Sequence, residues 1–169
     1  MEIKVRLAEK EDFRKLLNLF IKVNDFHHKL ADEFYHNAKL KKGSAKERKL
    51  SESKELVESL KNKNTKIFVA FIKKKLVGFM TVSLLKMNAN CKYQRSRIED
   101  SFVLEKFRNK KISSLLLNEA FSFFNSKNVK LVSLDVSSNN IPAIKFYEKF
   151  GFHEELKTME LILPTSKSS

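Results

Sequence analysis

The chain has 169 residues, of which 42% are hydrophobic, and no apolar run approaches the ~18 residues that a membrane-spanning helix needs. Length and composition predict a single domain over residues 1–163, followed by a frayed tail at residues 164–169. The formal net charge is +14, and the chain has only three glycines, which argues against glycine-rich loops that cradle phosphates.

The cysteine count and the charge narrow the classes of protein further. A single cysteine, Cys91, excludes an internal disulfide framework and multi-cysteine zinc sites. No basic-then-apolar leader is present, so the cytoplasm is the expected compartment. Positive charge attracts nucleic acid, membrane phosphates and acidic small ligands alike. Because 28 of the 34 basic residues are lysine, a generic lysine-rich surface is favoured, with no membrane partner and nucleic acid disfavoured.

Hydrophobic spacing in the first half predicts a strand, two helices and a hairpin. Residues 3–8 alternate apolar and charged side chains, as in a half-buried strand. Helical spacing follows over residues 12–30, and a peripheral helix is predicted over residues 45–61 after a basic loop. Residues 67–72 and 76–87, separated by three lysines, then predict a β-hairpin.

The second half predicts alternating strands and helices. The predicted elements are a strand at 97–104, a helix at 112–126, a strand at 129–136, a helix at 140–150 and a last strand or hairpin at 152–163. This order indicates an α/β fold, with a mixed central sheet of about six to seven strands and about four helices on its two faces.

Two stretches of the second half carry a family resemblance. Residues 140–152 read N-I-P-A-I-K-F-Y-E-K-F-G-F, which resembles the N-x-x-A-x-x-F-Y-x-x-x-G-F helix of the GCN5-related N-acetyltransferase (GNAT) superfamily. Residues 97–108 are similar to its cofactor strand, and their E-D-x-x-V sequence is closest to polyamine and diamine acetyltransferases. The resemblance implies a GNAT fold and an acyltransferase that moves an acetyl group from acetyl-CoA to a primary amine. Direct attack in a ternary complex is implied, with a small polyamine-like acceptor favoured.

The chemistry of such a transfer needs a base and an acid. An ammonium group must lose a proton before it attacks a thioester, so a carboxylate or a base-ordered water is required. Glu99 and Asp100 are adjacent on a strand and are expected to point to opposite faces. The resemblance implies Glu99 as the base; the alternative is an edge carboxylate paired with Arg97. It also implies that Tyr147 protonates the leaving thiolate, the alternative being a buried tyrosine with a hydrogen-bonded tip.

The resemblance further implies three places of contact with coenzyme A. Backbone N–H groups at Phe102, Val103 and Leu104 stabilise the oxyanion, and Asn140, otherwise simply an N-cap, touches the cofactor. The pyrophosphate is expected at the N-terminus of the helix that begins near Ile112. The residues implied around this third contact are Arg108, Asn109, Lys110, Lys111, Ile112, Ser113 and Ser114.

The pyrophosphate loop departs from the family pattern R/Q-x-x-G-x-G/A. Lys111 and Ser113 stand where the two glycines are expected. Either lysine ammonium groups replace the backbone contacts to phosphate, or the site has lost its cofactor. Cofactor binding is favoured, because residues 106–111 contain four cations and no acid.

The acceptor amine of the family lies against the first helices, which here correspond to residues 25–35. Carboxylates and aromatic rings in this stretch suit a cationic amine. Neighbouring His27 and His28 diverge by about 100° on a helix and cannot chelate one ion together, so no metal site is expected. The implied acceptor-binding residues are Asp25, His28, Asp32, Glu33 and Tyr35.

Two other functions and one assembly stay open. A protein N-terminus or a lysine is an alternative acceptor, since neither periodicity nor spacing separates it from a small amine. A non-catalytic basic module would bind nucleic acid through the lysine-rich residues 39–66. An exposed last strand could pair two subunits in a homodimer.

Overall fold

A computed structural model describes residues 2–37, 44–87, 92–159 and 161, with side chains left undescribed at residues 28–37 and 45. The chain divides into two compact units: Met1–His27 with Gly43–Asp135, and His28–Lys42 with Val136–Ser169. Parts of the predictions lie outside the described residues: the basic loop around Gly43, most of the polar connection that contains Cys91, and the frayed tail.

Nine helices and strands account for the regular structure of the described residues. They are β1 Ile3–Leu7, α1 Phe13–Asn37, α2 Ala45–Lys61, β2 Thr65–Ile72, β3 Lys75–Leu84, β4 Gln94–Val103, α3 Ile112–Ser126, β5 Val129–Leu134 and α4 Ile141–Glu148. Short 3-10 helices at Lys10–Asp12 and Glu105–Phe107 precede α1 and α3. The predicted order of elements is confirmed from β1 to α4.

The strands form one mixed sheet in the order β1-β2-β3-β4-β5, in which only β4 and β5 are parallel. The predicted α/β layer is confirmed, with five strands in the described residues instead of six to seven. The last strand is wrong for residues 152–159, which form no strand. Leu156 and Met159 lie three residues apart and stay exposed, so this segment has no alternating apolar face to bury.

Helix α1 continues to Asn37, seven residues beyond the predicted end near Leu30. The sequence between Asp12 and Gly43 contains no glycine or proline, so no residue there stops a helix. Despite this length, none of the described helices combines the extent and apolar character required to cross a membrane.

The helices of the first unit cover both faces of the sheet. On one face, Phe20 of α1 stacks on Phe79 of β3 with ring centroids 4.6 Å apart, and Leu56 of α2 joins the same buried cluster. On the other face, Phe68 of β2 contacts Phe123 of α3 at 6.4 Å. Alternation along β2 therefore supplies apolar side chains to two layers of helices.

Strand β4 has two neighbours at its start and one at its end. It pairs with β5 from Gln94 to Ile98 only, whereas its pairing with β3 continues to Val103. Within the described residues, the sheet therefore opens between β4 and β5 beyond Ile98. Such an opening leaves backbone hydrogen-bonding groups of β4 available to a ligand.

Candidate active site

A β-bulge interrupts the pairing of β3 with β4. Thr81 lies opposite Asp100, whereas the next residue of β3, Val82, lies opposite Ile98. Glu99 is therefore one extra residue on β4, and such an insertion bends a strand and disturbs its alternation. The bulge falls on the residue that the sequence predicts as the base.

The bulge brings Glu99 and Asp100 to one face of the sheet. Asp100 shares the face of Thr81, because directly paired residues point their side chains the same way. The Glu99 carboxylate accepts a hydrogen bond from the hydroxyl of Ser83, which shares the face of Thr81. The expectation that the two carboxylates point to opposite faces is wrong, because strand alternation does not hold across a bulge.

The Glu99 side chain is held by two neighbours. Besides the bond from Ser83, its Oε2 lies 3.3 Å from Nε of Arg97. Arg97 also forms an ion pair with Asp135, which follows β5. The predicted alternative contact with Arg97 is therefore present, and it orients the carboxylate at the surface of the sheet.

Five carboxylates interact around the bulge, and we call Asp25, Glu52, Glu55, Glu99 and Asp100 the acidic cluster. Burial raises the pKa of Asp100 to about 6, and the charges of Glu55 and Glu99 contribute. Burial also raises the pKa of Glu52 to about 7, with contributions from Glu55, Asp100 and Asp25. In a chain of net charge +14, this local negative charge suits a cationic group.

The acceptor residues implied by the resemblance are described only in part. Asp25 is half-exposed and pairs with Arg48 of α2 at 3.0 Å, which ties α1 to α2. The other four implied residues lie on the backbone of α1, but their side chains lie outside the described residues: His28, Asp32, Glu33 and Tyr35.

Only one of the three backbone donors implied on β4 points away from β3. The Leu104 N–H donates to the Val77 carbonyl at 2.9 Å and is used within the sheet. N–H groups alternate sides along a strand, so the Phe102 N–H also points toward β3, whereas the Val103 N–H points toward the opening. The donor roles implied for Leu104 and Phe102 are therefore not available, because the sheet uses both groups.

The loop before α3 keeps a backbone conformation that favours glycine although it contains none. Lys111 has φ 62° and ψ 9°, and Asn109 has φ 59°. The left-handed region costs an L-residue roughly 1–2 kcal/mol and is routinely visited by glycine. Lys111 therefore replaces a glycine in sequence while the chain turns as a glycine would.

The side chain of Lys111, the N-cap residue of α3, makes no capping hydrogen bond. The first N–H groups of a helix lack intrahelical partners and, with the helix dipole, attract anions. The side chain of Ile112 is buried, those of Ser113 and Ser114 are half-buried, and those of Lys110 and Lys111 are exposed. This helix end therefore offers backbone donors and two cations to an anion.

Arg108 is a loop cation that contacts both β4 and α1. Its Nε donates to the Val103 carbonyl at 3.3 Å, and its guanidinium lies 5.1 Å from the ring centroid of Phe26. The side chain thus braces the end of β4 against α1.

The second unit contains the helix that carries the family-like motif. Asn140 is the N-cap of α4 by position, but its side chain makes no capping hydrogen bond. The helix closes at Gly151, which has φ 87°, and the N–H groups of Gly151 and Phe152 return to the carbonyls of Glu148 and Tyr147. This is the Schellman pattern, which explains the glycine in the motif.

Tyr147 is buried, with 9% of its surface exposed. Its ring contacts Phe146 and Phe152 at centroid distances of 5.1 and 5.4 Å. Aromatic packing thus fixes the ring of the predicted acid within its own unit.

A metal ion is held by several ligand side chains that lie close together. Among the side chains that the structure describes, no three His, Cys, Asp or Glu are grouped so that they could hold a metal ion.

The strand, the loop and the helices described above lie within a stretch that matches one protein family. Residues 23–152 match the family described as "Acetyltransferase (GNAT) family". The chain belongs to this family. The GNAT superfamily predicted from the sequence is thereby confirmed, and the description of the family agrees with the predicted acyltransferase class, whereas the resemblance to polyamine and diamine members stays a prediction.

Two curated relatives of this GNAT chain are similar over part of their lengths. An uncharacterized N-acetyltransferase of Methanocaldococcus jannaschii is 31% identical over 88 residues, which are 52% of this chain and 39% of that protein. An N-alpha-acetyltransferase of Sulfolobus acidocaldarius is 32% identical over 104 residues, which are 58% of this chain and 62% of that protein. The matched stretch spans less than two thirds of either relative.

Solved structures share the GNAT fold over nearly the whole chain. A tetramutant of the BH1408 protein from Bacillus halodurans has a TM-score of 0.76 at 22% identity, covering 95% of this chain and 99% of that one. The aminoglycoside acetyltransferase AAC(6')-Iy, in complex with a bisubstrate analog, CoA-S-monomethyl-acetylneamine, has a TM-score of 0.67 at 18% identity, covering 95% and 97%. At these identities, the likeness shows the fold.

GNAT acetyltransferases use acetyl-CoA, and the residues of this chain fit such a ligand. The N-terminus of α3 and the cations Lys110 and Lys111 form a donor set for a pyrophosphate. The opening beyond Ile98 leaves the Val103 N–H free for a second polar contact. Although the loop lacks both glycines, its backbone still presents the N–H groups at the start of α3 that a pyrophosphate requires.

Sequence reasoning missed two buried residues beside Asp100. Glu52 is only 5% exposed, and Thr81, directly opposite Asp100, is 2% exposed. The position of Glu52 could have been found, because it lies one turn before Leu56 on the buried stripe of α2. The position of Thr81 could not, because it depends on the pairing of β3 with the bulged strand.

Proposed function

We propose that the protein transfers the acetyl group of acetyl-CoA to a primary amine by direct attack in a ternary complex. The observation that carries the proposal is the acidic cluster around the β-bulge, in a chain whose net charge is +14. An amine reaches the site as an ammonium ion, and clustered carboxylates both attract it and provide acceptors for its proton.

Bound acetyl-CoA supplies an acetyl thioester, which an unprotonated amine can attack. The N-terminus of α3, with Lys110 and Lys111, would hold the pyrophosphate. The Val103 N–H is the backbone group on β4 proposed to donate to the thioester oxygen as that oxygen becomes negative. Asn140 at the start of α4 is proposed to add a polar contact to the cofactor.

Two proton transfers complete the proposed reaction. Glu99, oriented by Arg97 and Ser83, takes the proton of the attacking amine directly or through a water. Asp100 is a second candidate for this role, because its raised pKa of about 6 is nearer to neutral pH. Tyr147 gives its hydroxyl proton to the departing sulfur.

A small amine with more than one ammonium group is the proposed acceptor. Several carboxylates lie together, and Thr81 has a buried hydroxyl with no hydrogen-bond partner among the described residues. A buried unpartnered hydroxyl beside a carboxyl is suited to contact a bound polar ligand. The second candidate is the α-amino group of a protein, favoured by the similarity to an N-alpha-acetyltransferase of Sulfolobus acidocaldarius.

Release of free coenzyme A thiol tests the proposal. We expect release from acetyl-CoA with polyamines and diamines to exceed release with lysine analogues and with peptides that have a free N-terminus. Glu99→Gln and Asp100→Asn, compared with the parent protein, identify the base as the substitution that lowers turnover about 100-fold or more.

Preference for peptides would move the acceptor class to a protein α-amino group. No thiol release with any amine, together with no acetyl-CoA binding in calorimetry, would contradict the proposed function.

A further inference from the structure

An open cleft of about 730 Å³ lies at the end of the β2–β3 hairpin. Residues of α1, the hairpin turn and Phe107 form its walls, and the full lining is Lys15, Asn18, Leu19, Ile72, Lys73, Lys74, Lys75, Leu76 and Phe107. Pockets for small organic ligands typically measure about 300–1,000 Å³, so the cleft has room for one.

The lining of the cleft is basic at its rim and apolar at its floor. Four lysines contribute positive charge, and no acidic residue is among the lining residues. Leu19 and Leu76 belong to the buried core and form an apolar floor. A concave surface lined by charge of one sign concentrates counter-ions, so the cleft attracts anions with an apolar part.

The hairpin turn holds a lysine in a conformation that a lysine rarely adopts. Ile72 pairs with Lys75, so the turn has two central residues, and the first of them, Lys73, has φ 54°. Glycine or asparagine is the usual residue at such a position in a two-residue hairpin. The turn therefore has a lysine at a position where steric preference favours glycine or asparagine.

Aromatic rings position the ammonium groups around the cleft. The Lys75 Nζ lies 5.3 Å from the ring centroid of Phe107, and the Lys110 Nζ lies 5.4 Å from the same centroid. The Lys15 Nζ lies 5.7 Å from the ring centroid of Phe71. Cation–π contacts restrict these side chains, which lowers the entropy lost when they bind an anion.

The cleft lies beside the loop that precedes α3, because Phe107 lines the cleft and its ring contacts both Lys75 and Lys110. Leu19 and Leu76 belong to the cluster that α1 buries with Phe79, whereas α3 packs on the face that carries Phe68. The floor of the cleft and the body of α3 thus lie on opposite faces of the sheet, and competition by coenzyme A tests whether the two anions bind independently.

We propose that this cleft is a second anion site that binds a nucleoside polyphosphate, with phosphates at the lysines of the hairpin turn and the base on the apolar floor. Inorganic phosphate alone would leave the apolar floor uncovered. A ligand with both a polyphosphate and a planar apolar part matches the two halves of the lining.

Fluorescence polarisation of a fluorescent ATP analogue, measured without coenzyme A and with coenzyme A at saturation, tests the proposal. The test variant is Lys73→Gly, Lys74→Ser, Lys75→Thr, in which glycine suits the positive φ and threonine suits a strand, so the hairpin is retained. The control variant Lys61→Ser, Lys63→Ser, Lys66→Thr removes the same charge elsewhere. Thermal unfolding checks that both variants are folded.

We expect the parent protein to bind the probe, the test variant to bind it at least tenfold more weakly, and the control variant to change affinity less than twofold. Inorganic tripolyphosphate should compete more weakly than ATP. No binding at about 1 mM probe, equal weakening in both variants, or full displacement by coenzyme A would each overturn the proposal. Equal competition by tripolyphosphate would overturn the nucleoside assignment.

Discussion

At several single positions in this chain, the backbone adopts a conformation that the residue type does not favour. In the described residues, four positions other than glycine have positive φ: Lys73, Asn109, Lys111 and Asn128. Each lies in a turn or at the end of an element, where the chain must reverse. At Lys111 the same conformation serves the predicted pyrophosphate loop, so the position combines a backbone turn with a cation.

Replacing Lys111 by glycine should separate these two contributions. We expect Lys111→Gly to raise the free energy of unfolding by about 0.5–1 kcal/mol, because relief of the left-handed conformation exceeds the entropy that glycine gains on unfolding. Affinity for acetyl-CoA should fall several-fold with the lost charge. Thermal unfolding and calorimetry measure the two effects. The control is Lys110→Gly, at a residue without positive φ, and equal stabilisation there would contradict the explanation.

Removing one hydroxyl tests the proposed acid. We expect Tyr147→Phe to lower turnover by about 10- to 10⁴-fold and to leave acetyl-CoA binding nearly unchanged, because the ring packing against Phe146 and Phe152 is kept. Steady-state thiol release and calorimetry measure the two quantities. Tyr93→Phe, at an exposed tyrosine, is the matched control. Turnover equal to that of the parent protein would remove Tyr147 from the mechanism.

At the scale of elements, helix α2 buries the carboxyl group of Glu52 on the helix face that packs against the core. Glu52 and Leu56 lie one turn apart and are both buried, so α2 packs with an acid on its apolar stripe. A buried carboxyl without a paired cation favours its protonated form. The element therefore contributes less stability when Glu52 is ionised than when it is neutral.

This arrangement predicts that stability falls as pH rises. The pKa of Glu52 is about 7 in the folded protein against an ordinary value of 4.5, so the folded state binds more protons between these two values. The free energy of unfolding therefore decreases across that range, and Asp100 adds to the decrease in the same direction. We expect Glu52→Gln to be more stable than the parent by about 1–2 kcal/mol at pH 8 and to lose less stability between pH 5 and pH 8.

Urea unfolding at several pH values measures this dependence. Glu58→Gln on the same helix is the control, because Glu58 is exposed. A parent protein whose stability rises over this pH range, or a Glu52→Gln variant with the same slope as the parent, would contradict the assignment.

At the scale of the whole molecule, local periodicity predicted the order of elements but not their register. The helix at 112–126 agrees with α3 at both ends, because its apolar spacing and the flanking turns are both local signals. The bulge at Glu99 depends on how β3 and β4 pair, which no local pattern contains. The predicted base could therefore be named by resemblance, but its shared face with Asp100 could not.

The same limit applies to charge. A net charge of +14 predicted a lysine-rich surface, whereas the acidic cluster forms only when α1, α2 and β4 come together. Its members are separated by up to 75 positions in the chain, from Asp25 to Asp100. Counts of acids and bases along the sequence do not show which distant residues come together in the fold. Composition therefore could not predict a cluster of acids in a protein of positive net charge.

The extra residue at Glu99 separates two regular stretches of the pairing between β3 and β4. Before the bulge, Arg97 shares the face of Ser83, and after it, Asp100 and Phe102 share the faces of Thr81 and Phe79. Without Glu99, Ile98 and Asp100 would be adjacent opposite Val82 and Thr81, so β3 and β4 would form a regular ladder with every other pair kept. Phe102 would stay opposite Phe79 and Arg97 opposite Ser83. The extra residue is thus one that the pairing of the two strands does not require, and its deletion would remove the carboxylate and the bend of the strand while leaving the register of the sheet.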